Sequence, residues 1–175
     1  MRIKVAKIKL NVHGRVGGSG SKTVFRTKQA SGKMSFNVTP ASKYQKPWME
    51  SVKWAFLQKY SQHFMPYDGA IVFQATFYLP RPKGHFKKNG ELSKEGHRHP
   101  LPDRRSAPDL DKAVRATKDA LSGLVYKDDK LVVEQHAYWR WRDQPGADIS
   151  VGSLQEKTQR VALKHFGKFA KTNFS

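Results

Sequence analysis

Residues 108–133 read PDLDKAVRATKDALSGLVYKDDKLVV, and the fold turns on how this stretch divides. Leu110, Val114, Thr117 and Leu121 recur at three- and four-residue steps, one face of a helix that opens at Asp109. Gly123 stands where a helix C-cap belongs. Asp128–Asp129 makes a turn, and Leu131–Trp141 then alternates with period two as a strand.

Working outward, residues 3–12 (IKVAKIKLNV) alternate as a first strand, followed by the glycine-rich loop Gly14–Gly20 and a basic segment, Lys22–Lys33. In Ala41–Tyr60, Trp48, Val52, Ala55 and Phe56 fall at helical spacing. Ala70–Leu79 is apolar and β-branched, a strand. Pro80–Pro108 is polar and reads as a long loop, which in a small domain is either functional or disordered. Ala147–Leu154 reads as a last strand, and residues 156–171 as a basic helix. The expected fold is α/β (α+β): one small domain with a mixed sheet packed with helices. That domain should span residues 1–155, with a basic C-terminal helix or tail at 156–175. Sheet order is not readable from these segments.

Composition narrows the function. The chain has 175 residues, 33 Lys plus Arg and 14 Asp plus Glu, a formal charge of +19. Such a field favours an anionic partner, nucleic acid first and a membrane surface second. There is no cysteine, which excludes disulfides, thiol catalysis and Cys-ligated metals. No apolar run approaches the roughly 20 residues of a membrane span, and Met1–Leu10 lacks a signal-peptide core. A cytoplasmic location is expected.

The few acids are not spread evenly. Asp109, Asp111, Asp119, Asp128, Asp129 and Glu134 fall within 26 residues, where even spreading would put about two. Singly, each has a structural role open to it: Asp109 as an N-cap, Asp111 on the helix dipole, Asp128–Asp129 as turn residues. Together they oppose the grip on phosphate unless a cation sits among them. Hard oxygen ligands select Mg²⁺ or Mn²⁺, and such ions drive phosphodiester hydrolysis.

The run Pro108-Asp109-Leu110-Asp111, Asp119-Ala120-Leu121 near the helix end, and Asp128-Asp129 before a strand resembles the RusA family of Holliday junction resolvases, found in bacteria and their phages. The Ser19–Lys22 loop and the Thr39-Pro40 helix entry are also similar to phage members. The resemblance implies a homodimer that binds four-way DNA junctions or other branched DNA. It would cut opposed strands with Mg²⁺ (or Mn²⁺) in recombination and repair, in a bacterial cell or encoded by a phage. Carried over by position, Asp109, Asp111 and Asp129 would be catalytic metal ligands, with Asp128 beside them. Arg115 stands where the family has a lysine, and Lys112 where it has an asparagine. Arginine does not give up its proton, so Arg115 can steady phosphate charge but not act as a general acid or base. Lys118 is a substitute for that lysine. A two-fold dimer matches a two-fold junction and offers both strands a site.

Other features stay open between two readings. Lys22, Arg26 and Lys28 form a DNA-contacting loop or a solvated one; the GRVGGSGSKT segment lacks the Walker ending. Arg104 and Arg105, with Lys83, Lys87, Lys88 and Arg98, suit backbone phosphates or plain solvation. His85, His97 and His99 lack cysteine partners and a third ligand at helical spacing, against zinc. Leu131, Val133, Ala137, Trp139 and Trp141 share one strand face, expected as core or dimer contact, with Glu134 on the other. Lys157, Arg160, Lys164, Lys168 and Lys171 form a basic stripe in the last helix, suited to DNA or an anionic membrane. Against the nuclease stand a non-catalytic basic binder of nucleic acid and a nuclease for flaps, forks or packaging intermediates.

Overall fold

The computed structural model describes residues 7–20, 22–28, 31–40, 42–60, 64–103 and 107–154. In chain order its elements are β1 (Lys7–His13), β2 (Lys22–Lys28), β3 (Met34–Pro40), α1 (Gln45–Tyr60), β4 (Ile71–Leu79), α2 (Lys94–Arg98), α3 (Leu110–Leu121), β5 (Val132–Trp141) and β6 (Gly146–Ser153). Four strands form a mixed sheet in the order β1-β6-β4-β5. Strand β6 runs antiparallel to both β1 and β4, and β4 runs parallel to β5. The mixed sheet with helices expected from the sequence is what forms.

Alternation decides which side of the sheet is covered. On β1, Ile8, Leu10 and Val12 are buried while Lys7, Lys9, Asn11 and His13 are exposed. On β4, Phe73, Ala75 and Phe77 face the same core as Trp48, Val52 and Phe56 of α1 and Val114 and Leu121 of α3. The layers are therefore two, helices on one face and polar residues on the other. Pro47 is tolerated because it sits in the first turn of α1, where its nitrogen needs no helical partner.

Small residues let α3 come close. Its buried side is Ala113, Val114, Ala116, Thr117, Ala120 and Leu121. Within that apolar contact one polar link remains: Trp48 Nε1 donates to Thr117 Oγ1 at 3.0 Å, and Thr117 Oγ1 donates to the Ala113 carbonyl at 2.8 Å. On the open face, Asp148 accepts from Asn11 Nδ2 (2.6 Å), the Tyr78 hydroxyl (2.8 Å) and Arg142 Nη2 (2.9 Å). Burial pushes the Asp148 carboxyl up. The three hydrogen bonds and the Arg142 charge outweigh that and hold it below the usual carboxylate range.

Two stretches differ from what the sequence led us to expect. The basic segment 22–33 is not a loop: β2 and β3 pair as a hairpin, a two-stranded sheet of its own. The stretch 80–108 is not structureless either. It holds a 3₁₀ turn at Lys83–His85, a bridge between Phe86 and Leu92, and α2 capped by Ser93. With little to bury, it is fastened by polar contacts: Arg81 Nη1 donates to Gly96 O (2.8 Å) and His99 O (3.2 Å), and Trp141 Nε1 also donates to His99 O (3.0 Å). His85 and His99 stack, with His99 flanked by Glu95 (2.9 Å) and Asp103 (3.2 Å). Trp139 packs against Phe77 and Trp141 against His85, so the Trp face turns inward, although Val133 beside it is exposed. The basic C-terminal helix, Arg104 and Arg105 lie outside the described residues.

Two outcomes follow from these packings. Thr117→Val strands the buried Trp48 Nε1 and should cost about 1–3 kcal/mol in urea unfolding, whereas Thr117→Ser keeps the acceptor and costs less. Because the folded pKa of Asp148 is depressed, its stabilisation is complete above the unfolded titration range and disappears as pH falls through the folded pKa. Asp148→Asn should thus lower stability at pH 7 by on the order of 1 kcal/mol, a figure discounted for its partial exposure. Urea titrations should show the gap from wild type closing as pH falls below the usual carboxylate range. A gap independent of pH would mean that the charge is not what stabilises.

Candidate active site

Helix α3 carries the acids because only part of its surface is buried. With Val114, Thr117 and Leu121 turned inward, Asp111, Arg115 and Asp119 are left on the exposed side. Asp109 occupies the N-cap position, yet its side chain makes no capping hydrogen bond. Instead Asp109 Oδ2 stands 2.7 Å from Lys112 Nζ. The hydrogen bond to Asp109 and its charge, with a smaller contribution from Asp111, hold the Lys112 ammonium above the usual lysine range. A cation already sits at that carboxylate.

After the helix the chain turns through Gly123, whose φ is +77°. Tyr126 is buried, and its hydroxyl donates to the Lys118 carbonyl at 2.8 Å. Burial, with the charges of Asp129 and Asp119, pushes the Tyr126 hydroxyl far up, so it stays a neutral donor. This anchors the turn that bears Asp128 and Asp129. Asp128 Oδ1 accepts from the Lys130 backbone N–H at 2.9 Å and caps the 3₁₀ turn Asp129–Leu131. That backbone bond, with the nearby Lys130 charge and a hydrogen bond to Asp129, holds the Asp128 carboxyl below the usual range. The turn role open to Asp128 in the sequence is realised here.

The glycine-rich loop wraps the same helix. Ser19 N–H donates to the Lys112 carbonyl at 2.9 Å, and Ser19 Oγ donates to Asp119 Oδ2 at 3.3 Å. Gln45 Nε2 reaches the same Ser19 oxygen at 3.2 Å. A Cβ on Gly17 would lie 2.3 Å from the Tyr44 carbonyl oxygen, and one on Gly20 would lie 2.6 Å from Arg115 Nη1. Gly20 also has φ +102°. The glycines are there for close approach. The sequence reading missed the Ser19–Asp119 link; its only signal was a glycine run that no phosphate motif explained.

Two aspartate pairs are thus in place, Asp109 with Asp111 and Asp128 with Asp129. Among the described residues no group of three His, Cys, Asp or Glu side chains is placed to hold a metal ion. The donors nonetheless suit a hard cation. Magnesium is characteristically held by one or two carboxylates with waters and substrate phosphates, not by an all-protein cage. Asp109, which already accepts an ammonium, and Asp111 within the same turn meet that description.

Of the cations expected at DNA, Lys22 opens β2, and Arg26 and Lys28 are exposed along it. Lys118 is half-buried in the last turn of α3. Glu134 lies 2.7 Å from His136 on the open face of β5.

The family described as "Endodeoxyribonuclease RusA" matches residues 21–152, which contain both aspartate pairs and Arg115. The chain belongs to the RusA family. Its members are named for internal cleavage of DNA, and the expected resemblance is met over most of the sequence. The chain is also 31% identical over 85 residues to a Bacillus subtilis protein described as "Uncharacterized protein YqaN". That match covers 47% of this chain and 57% of the relative, so it spans little more than half of that protein. Among the described residues, no helix is long and apolar enough to cross a membrane.

The loop packing gives a direct test. Gly17→Ala should destabilise by about 1–3 kcal/mol, because a Cβ would meet backbone that has no room to move. Gly32→Ala, with open space around it, should show only the smaller cost of its positive φ. Equal losses for the two in chemical denaturation would mean that Gly17 does not pack against α1.

Proposed function

We propose that this chain is a divalent-cation-dependent endonuclease that binds four-way DNA junctions and hydrolyses phosphodiester bonds in opposed strands. The observation that carries the reading is the RusA family match across the segment holding all four aspartates. The charge of +19 supports a polyanionic substrate.

In this reading Asp109 and Asp111 hold Mg²⁺ or Mn²⁺ at the start of α3, and Asp129 of the turn, not grouped with them among the described residues, joins as the third acid when ion and DNA are bound. The ion, when bound, supplies Lewis-acid stabilisation of phosphoryl oxygens and a water nucleophile at neutral pH. Lys112 is released from Asp109 and turns to a DNA phosphate. Arg115 steadies a non-bridging phosphate oxygen with its planar guanidinium and keeps its proton throughout. Lys118, in the last turn of α3, is the substitute lysine that could exchange one. Asp128 keeps the turn in shape. Two copies related by a two-fold axis present two such sites to a two-fold junction.

Cleavage of an end-labelled four-way junction tests this, with Asp111→Asn beside the wild type. The variant should lose cutting by about 100-fold or more, as expected when a ligand of a catalytic ion is removed. Its junction affinity should equal or exceed that of wild type, because an acid near the phosphates is gone. Asp129→Asn should behave like Asp111→Asn, while Asp128→Asn, which can still cap the turn, should retain most activity. An intact junction in both Mg²⁺ and Mn²⁺, despite tight binding by wild type, would reduce the protein to a basic DNA binder. Faster cutting of forks or flaps than of junctions would reassign the substrate.

A further inference from the structure

The β2–β3 hairpin has no place in the main sheet, and isolated two-stranded ribbons are marginal in water. It nevertheless exposes apolar bodies: Val24 at 56%, Met34 at 48% and Phe36 at 60%. Cross-strand register sets Arg26 opposite Phe36 and Lys28 opposite Met34, so cations and apolar groups share one face. The Arg26 guanidinium lies 5.7 Å from the Phe36 ring centre. A protein–protein contact sheds charge from its centre. An exposed ring flanked by cations instead suits nucleotides, whose bases stack and whose phosphates pair.

Charge distribution selects the same partner. The first 49 residues contain eleven Lys or Arg and no Asp or Glu. The root of the hairpin is fixed to the acid-bearing helix, through Ser19 N–H on the Lys112 carbonyl and Gly20 against Arg115. The ribbon therefore starts beside the exposed side of α3, the side that also carries Asp111.

We propose that the β2–β3 hairpin is a branch-reading arm, in which Phe36 stacks on a base left open at the branch point while Arg26 and Lys28 hold the adjoining phosphates. In continuous duplex each base face is covered by its neighbour. Where stacking is interrupted, a face is open, and an aromatic wedge can occupy it. Phe36 would then set the preference for branched over linear DNA. The inference rests on the nuclease reading above for its substrate.

The experiment uses the full chain in EDTA, a four-way junction carrying 2-aminopurine beside the branch point, and a linear duplex of the same sequence. Wild type should alter the probe's emission. Phe36→Ala should abolish that change and weaken junction binding about tenfold, with little effect on the duplex, as loss of one stacked base predicts. Phe36→Trp should restore both signals, which a role in folding alone would not produce. Equal weakening on both DNAs, or emission that Phe36→Ala leaves unaltered, overturns the arm's role. A halved particle mass for Phe36→Ala in sedimentation also overturns it, in favour of contact between copies. If wild type cuts junctions with Mg²⁺ while the Phe36 signals fail, only this inference falls; if wild type neither prefers nor cuts junctions, the function proposed above falls with it.

Discussion

Helix α3 must lie close against α1 while keeping a charged stripe in water, and the site depends on that constraint. Alanines at 113, 116 and 120 bring it in, and the Trp48–Thr117 hydrogen bond fixes its rotation about its own axis. Rotation matters because a turn of roughly 100° moves each residue to its neighbour's position on a helix of 3.6 residues per turn. A different rotation would bury Asp111 or Arg115 against Trp48. The glycine loop closes over the remaining side and takes its register from the Lys112 carbonyl. Helix rotation, loop position and the start of the hairpin are therefore one geometric decision.

Electrostatics explains how so cationic a chain carries aspartates in its working stretch. Asp109 is matched by Lys112, Asp128 by the Lys130 N–H and ammonium, and Asp119 by the Ser19 hydroxyl. These partners are short-range and mostly exposed, so each contributes little to stability. Their consequence is chemical. Under the proposed function, carboxylates with weak, mostly exposed partners exchange those partners for a doubly charged ion without unfolding the helix.

How much could be read from the sequence follows from where each signal came from. Helix α3 was legible because one buried face imposed a period on it, β4 because it is apolar almost throughout, and β5 from its alternating sequence although its half-buried side changes midway. The hairpin was not, since Val24, Arg26 and Phe36 face solvent and no core disciplines their alternation. The segment after β4 looked structureless because its order comes from polar contacts of Arg81, His99 and Trp141. These join residues far apart in the chain, which no local window detects. The acids were legible as a concentration of charge, whereas the Ser19–Asp119 contact, spanning 100 residues, was not. Capping likewise divided: Asp128 caps its turn, while Asp109 stands at a cap position and pairs with Lys112 instead.

The shared root of hairpin and helix has a geometric implication under the proposed function. A residue that reads the branch would then be anchored, through Ser19 and Gly20, on the helix that carries Asp111. An arm held in place by that anchor would convert recognition of a structural feature into position along the strand, because productive geometry tolerates only about an ångström of misplacement. A loosely tethered basic patch would bind branched DNA through charge alone and cut at scattered distances from the branch. A fixed arm makes the distance from branch to scissile phosphate a property of the fold. Selectivity for shape and precision of the cut then have the same physical origin.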